Sequence, residues 1–130
     1  KFFKVMIDAA HCGDSDLSIS ENEKVIKELA KADALGIFHA SAKTTRGCLT
    51  TDDGWIGALL AAYAPTGKLK HVFVELFHHE DPALAPLRKA VKGHGVNTTD
   101  GRTYNKTVTD GIVDVAHRLN NLAARKLIKN

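Results

Sequence analysis

Three short apolar runs alternate with segments of helical spacing along this chain. The first run, from Phe2 to Asp8, is apolar except for Lys4, with Val5, Met6 and Ile7 consecutive. The second, Leu35 to His39, ends on a histidine. The third lies in KHVFVELFHHED, where Val72, Phe73, Val74, Leu76 and Phe77 are nearly continuous. Runs of this length are too short for good helices and predict strands, the third buried on both faces. Between them the period changes. Ser20 and Glu23 fit a capping box, and Val25, Ile26, Leu29 and Ala30 follow at helical spacing, which predicts a helix ending near Asp33. Trp55 to Ala64 predicts a second helix, with Asp52 or Asp53 as N-cap and Pro65 and Gly67 as its stop. Asp81-Pro82 opens a third, which Leu84, Leu87, Ala90 and Val91 carry to Gly93. Val108, Ile112, Val115, Leu119 and Leu122 step by four and three, one apolar stripe on a long last helix from about Thr107 to Lys126. The signals from Val96 to Tyr104 suit a short strand or hairpin.

Alternation of this kind predicts an α/β fold: one domain over residues 1–130, three layers, a mostly parallel sheet of three to five strands, and helices on both faces. Such a topology sets Asp8, His39 and Phe77 along one sheet edge. That is the carboxyl edge, where α/β sheets bind ligands. Two stretches between elements read as loops. AHCGDSD follows the first strand, and SAKTTRGCLTTDDG, about fourteen residues long, follows the second.

Composition narrows the picture without deciding it. The 130 residues carry a net charge of +3, with 44% hydrophobic and 25% charged residues. Acidic residues are spread throughout, and no basic stripe with interleaved aromatics predicts nucleic-acid binding. No window approaches the roughly 18 apolar residues of a membrane-spanning helix. The chain opens on KFFKVMIDAA, too short for a signal peptide, so its compartment cannot be read from this end. Two cysteines, Cys12 and Cys48, exclude a disulfide-stapled miniprotein. No GxGxxG, P-loop or GxSxG occurs.

The candidate chemistry gathers at the expected strand ends. His11 follows the first strand and His39 closes the second. Two imidazoles with carboxylates nearby suit Zn²⁺, and Glu21 or Glu23, at the start of the first helix, would be the third ligand. Glu75 interrupts the third apolar run. A carboxylate inside a buried strand costs several kcal/mol unless paired, protonated or metal-bound, so Glu75 is the candidate general base. Each has a bland alternative. Strand-end histidines are commonly hydrogen-bonded structural residues, Glu23 already serves the capping box, and Glu75 on an edge strand would merely face water. His11, Cys12, His39 and Cys48 offer a closed zinc site, and either cysteine a nucleophile paired with histidine. His78 and His79 read as a solvent cap on their strand.

In order, these motifs resemble the zinc-dependent N-acetylmuramoyl-L-alanine amidases of the cell-wall hydrolase type. VMIDAAHCGDSD is similar to the family's IDxGHGGxDxG, with Gly13 as the second glycine. ADALGIFHASA resembles ADxxxSIHxNA, Thr45-Arg46-Gly47-Cys48 the ARG-V segment, and VFVELFHHEDPAL the strand VLVELGFxxNxxD. Thr109-Asp110-Gly111-Ile112-Val113 resembles the closing AIxxGI helix. The resemblance implies zinc held by His11, Glu23 and His39, with Glu75 moving the water proton to the leaving amine. Arg46 and His78 would contact substrate, and the loop from Ser41 to Asp53 would wall the groove. The substrate would be the peptidoglycan amide between the glycan lactyl group and the stem peptide, the location cell wall or extracellular. The competing expectation is a metal-free, cytoplasmic α/β domain that binds a small polar molecule, or an oligomer packed through Val108 to Leu122.

Overall fold

The computed structural model describes residues 3–43, 54–90 and 101–128. Its sheet has three strands, all parallel, in spatial order β1 (Val5–Asp8), β2 (Leu35–Ala40), β3 (Val72–Val74). Helix α1 (Ala9–Asp14) follows β1 directly, then α2 (Ile19–Lys31). Helix α3 (Trp55–Tyr63) leads through a 3₁₀ turn (Ala64–Thr66) to β3. A second 3₁₀ turn (Pro82–Leu84) opens α4 (Ala85–Ala90), and α5 (Tyr104–Ala124) is the long last helix. The parallel α/β architecture and the C-terminal helix are those the alternating pattern predicts.

Register decides which side chains share a face. Ile7 pairs with Phe38 and Phe38 with Val72, while Ala40 pairs with Val74. Laterally paired residues project to the same side of a sheet. These five therefore form one face, and they pack with Ile26, Ile56, Leu59, Leu60, Tyr63 and Val115 into the core. Phe38 meets the Tyr63 ring edge-on at 5.9 Å, and the Tyr63 hydroxyl donates to the Gly36 carbonyl at 2.8 Å. The opposite face carries Met6, 44% exposed, and Phe73, 51% exposed. The expected three-layer arrangement, with helices on both faces, is not seen among the described residues.

Several local expectations change. The AHCGDSD stretch, expected as a loop, is mostly helix α1. After two alanines, the weaker helix formers His11 to Asp14 wind there because tertiary contacts hold them. Asp8 caps the turn, accepting from the amides of Ala10 and His11, and Ala9 and Ala10 are fully buried. The Trp55 indole donates to the Ala9 carbonyl at 2.8 Å. Gly13 lies so close to the next segment that a Cβ there would sit 1.8 Å from the Lys43 carbonyl oxygen.

The capping box of α2 is Ser18 with Glu21 rather than Ser20 with Glu23, which moves the N-cap two residues earlier. The helix stops at Lys31, and Asp33 turns the chain with φ 52°. Helix α3 is capped by Gly54 in the left-handed region (φ 92°). Asp52 and Asp53, like Phe2 and most of the Val96–Tyr104 stretch, lie outside the described residues. Among the described residues the third apolar run is a three-residue edge strand, not a strand buried on both faces. Chain order alone cannot reveal that β2 takes the centre. On α5, Val115 and Leu122 of the stripe are buried, but Ile112 is 54% exposed. No described helix is long and apolar enough to cross a membrane.

Candidate functional site

At the carboxyl edge the second sheet face turns polar. Asp8 pairs with His39 and His39 with Phe73. The Glu75 amide continues the ladder by donating to the Ala40 carbonyl at 2.9 Å. Glu75 is two residues past Phe73 and so returns to its face. Asp8, His39 and Glu75 thus project from the ends of three adjacent strands onto one side. Each offers one ligand atom, and the three atoms lie within 4.8 Å of one another. His39 Nδ1 stands 3.3 Å from Glu75 Oε2 and 3.9 Å from Asp8 Oδ2.

Each member is held by something else. Asp8 is buried, and its Oδ1 accepts from Ala10 N at 2.9 Å and His11 N at 3.2 Å. Oδ2 is thereby left facing the histidines. The Phe73 ring packs on the His39 ring, centroids 5.6 Å apart. Exposure rises outward along the row, from Asp8 (6%) through His39 (23%) to Glu75 (33%). The group is therefore anchored at its buried end and open to solvent at the other.

The spacing suits a small cation. Ligand bonds of ~2.1 Å in a tetrahedral shell put ligand atoms ~3.4 Å apart, close to the 3.3 and 3.9 Å found here. Two carboxylates and an imidazole suit borderline and hard divalent ions, Zn²⁺ among them, and leave room for other ligands.

The residues expected from the sequence divide clearly. His39 and Glu75 come together. His11 flanks them, its Nε2 3.9 Å from Asp8 Oδ2, with a side chain 69% exposed. Glu23 is not brought to the group. It pairs with Lys27 at 3.9 Å and lines a groove with Ala61, Pro65 and Thr66. Trp55 sits at the Ala9 end of the sheet and Tyr63 at the Gly36 end. The end of α3 beside Glu23 is therefore remote from the strand carboxyl edge. Glu21 is occupied as the box residue, the Ser18 hydroxyl holding its carboxyl below the ordinary value. Glu75 is neither buried nor isolated, so the cost of a buried charge does not arise.

His78 does not cap its strand at solvent, because it is fully buried. Its Nδ1 accepts from the Glu80 amide at 3.1 Å and its Nε2 donates to the Arg102 carbonyl at 2.8 Å. Glu80 in turn accepts from the Tyr104 amide at 2.9 Å. The histidine latches the segment after β3 to the start of α5. Arg46 and Cys48 lie outside the described residues. Burial, and then the Asp8 carboxylate, push the Cys12 thiol above its ordinary 9.0, which is opposite to the shift that activates a nucleophile.

Asp8 is the residue that sequence reasoning passed over. Its signal was present: a carboxylate closing the apolar run VMID, as Glu75 stands within VFVELF. No protein family, no curated protein and no solved structure matches the chain.

Proposed function

We propose that this protein is a metal-dependent hydrolase that cleaves an amide bond, with Asp8, His39 and Glu75 as the residues that hold the cation. One observation carries the reading: three potential ligand atoms from three consecutive strands converge within 4.8 Å on one face of the carboxyl edge. Zn²⁺ is the ion the donor set and the amidase resemblance both favour. A divalent ion at that point supplies a Lewis acid for the scissile carbonyl and lowers the pKa of water. Asp8 Oδ2 and His39 Nδ1 form the rigid part of the set. Glu75 closes it from the solvent side. His11, beside Asp8 and exposed, is placed to take a proton from the attacking water and return it to the leaving amine. The roles of His11 and Glu75 are thus the reverse of those the resemblance implies. The substrate that the resemblance suggests is the lactyl-to-stem-peptide amide of peptidoglycan.

Glu75→Gln tests the assignment. The side chain is one-third exposed and glutamine matches it in shape, so the variant should fold normally by circular dichroism. It should bind Zn²⁺ about a hundredfold more weakly, one ligand being worth roughly two powers of ten, and should release no amine from muramoyl peptides. Full activity with undiminished zinc affinity would refute the reading.

A further inference from the structure

Between α3 and the second half of α5 lies a pocket of about 360 Å³ that shares no residue with the cation group. His117, Asn121 and Arg125 step by four down one flank of α5 and its cap, so neighbours in that column stand about 6 Å apart. Arg118 lies alongside. Its Nε donates to Asp114 Oδ2 at 2.6 Å, and both side chains are only 21% exposed, so the guanidinium is held in one orientation. Gly57 of α3 is part of the lining and admits that guanidinium, since a Cβ there would stand 3.2 Å from Arg118 Nη1. Leu60 and Leu122, both buried, supply the apolar part of the lining. Every polar side chain of the lining can donate a hydrogen bond, and among the described residues none of the lining is acidic.

We infer that the pocket binds a phosphomonoester of a small apolar alcohol, its phosphate held by Arg118, Asn121 and Arg125 and its organic part resting on Leu60 and Leu122. Three features select that chemistry. Planar guanidinium forks match the oxygens of a phosphate, and Arg118 is already oriented by Asp114. A phosphomonoester carries a charge of about −1.5 to −2 near neutral pH, which two arginines suit better than the single charge of a carboxylate ligand. The volume lies at the small end of ordinary ligand sites. Neither of two blander explanations accounts for the whole set. A cation at Arg125 suits the carbonyl end of α5, but that effect fades within the last turn, and His117 and Arg118 lie more than a turn before Ala124. The Asp114 pair accounts for the Nε of Arg118 and not for the glycine that makes room for Nη1. Binding here is independent of the hydrolase reading.

The test titrates the full metal-free chain with phenyl phosphate by calorimetry, at an ionic strength of about 0.15 M, where distant exposed charges are screened. Saturable binding is expected, with a dissociation constant below about 1 mM. Inorganic phosphate, phenol and benzoate should each bind at least about tenfold more weakly. The first lacks the apolar part, the second the anion and the third the second charge. Arg125→Gln, at an exposed position, should weaken binding at least about tenfold, since a charged hydrogen-bond partner is lost. Lys126→Gln removes the same charge at the next residue, outside the lining, and should leave the affinity within about twofold. Absence of binding, equal affinity for any of the three control compounds, or equal losses in the Arg125 and Lys126 variants overturns the inference. Binding of the ester that the Arg125 substitution alone weakens supports it, whether or not the protein binds zinc.

Discussion

On the proposed reading Asp8 has two tasks on two oxygens, and replacing it with asparagine separates them. Oδ1 caps α1 through Ala10 N and His11 N, while Oδ2 faces His39 and His11 at 3.9 Å. Asn keeps an acceptor for the cap and substitutes an uncharged amide on the other branch. As N-caps the two residues rank nearly equally, so Asp8→Asn should change metal-free stability by less than about 1 kcal/mol. Asp8→Ala loses the cap and should cost about 2 kcal/mol, since the Ala10 amide it served is buried. For the cation, a total of about 10–16 kcal/mol over four ligands gives ~3 kcal/mol for each, or about a hundredfold in affinity. Zinc at one hundred times its dissociation constant stabilises the parent by about 2.7 kcal/mol, worth roughly 10 °C in a domain of this size. The same zinc concentration should leave the melting temperature of Asp8→Asn nearly unchanged. Calorimetric titration with Zn²⁺ and melts with and without it measure both quantities. An asparagine variant that binds zinc within about threefold of the parent would remove Asp8 from the ligand set. One that melts as low as the alanine variant would refute the cap argument.

Two further perturbations probe the frame behind the site. Gly13→Ala should lower stability by about 2 kcal/mol or more, although alanine is the better helix former by about 1 kcal/mol, because its Cβ would stand 1.8 Å from the Lys43 carbonyl oxygen; an alanine variant that melts higher than the parent contradicts that close approach. Burial pushes the Tyr63 phenol from its ordinary 10.0 up to about 12. The unfolded chain therefore releases this proton first, and the contribution of Tyr63 to stability is complete below about pH 10 and is lost as pH rises toward about 12. Denaturant melts across that range should show the fall, and Tyr63→Phe should flatten it.

Much of the frame was legible because it depends on local periodicity. Apolar runs at Val5–Ile7, Leu35–Phe38 and Val72–Val74, alternating with helical spacing, suffice to predict parallel strands whose ends share one edge. His39 and Glu75 could be placed at that edge for the same reason. Asp81-Pro82 as a helix start and the stripe on α5 were equally readable, since caps and stripes are encoded within a few residues.

What the chain alone could not decide was lateral order and long-range contact. Only pairing shows that β2 lies between β1 and β3 among the described residues, and so that Glu75 sits on a half-open edge. Only register puts Asp8, His39 and Glu75 on one face, because a shift of one residue would send any of them to the other side. Helix α1 also escaped prediction, being held by the Trp55 indole and the Gly13–Lys43 approach, contacts made by residues some 30 to 46 positions away. Spacing set the candidates for the site. Strand order and register, fixed by burial of a single apolar face, chose among them.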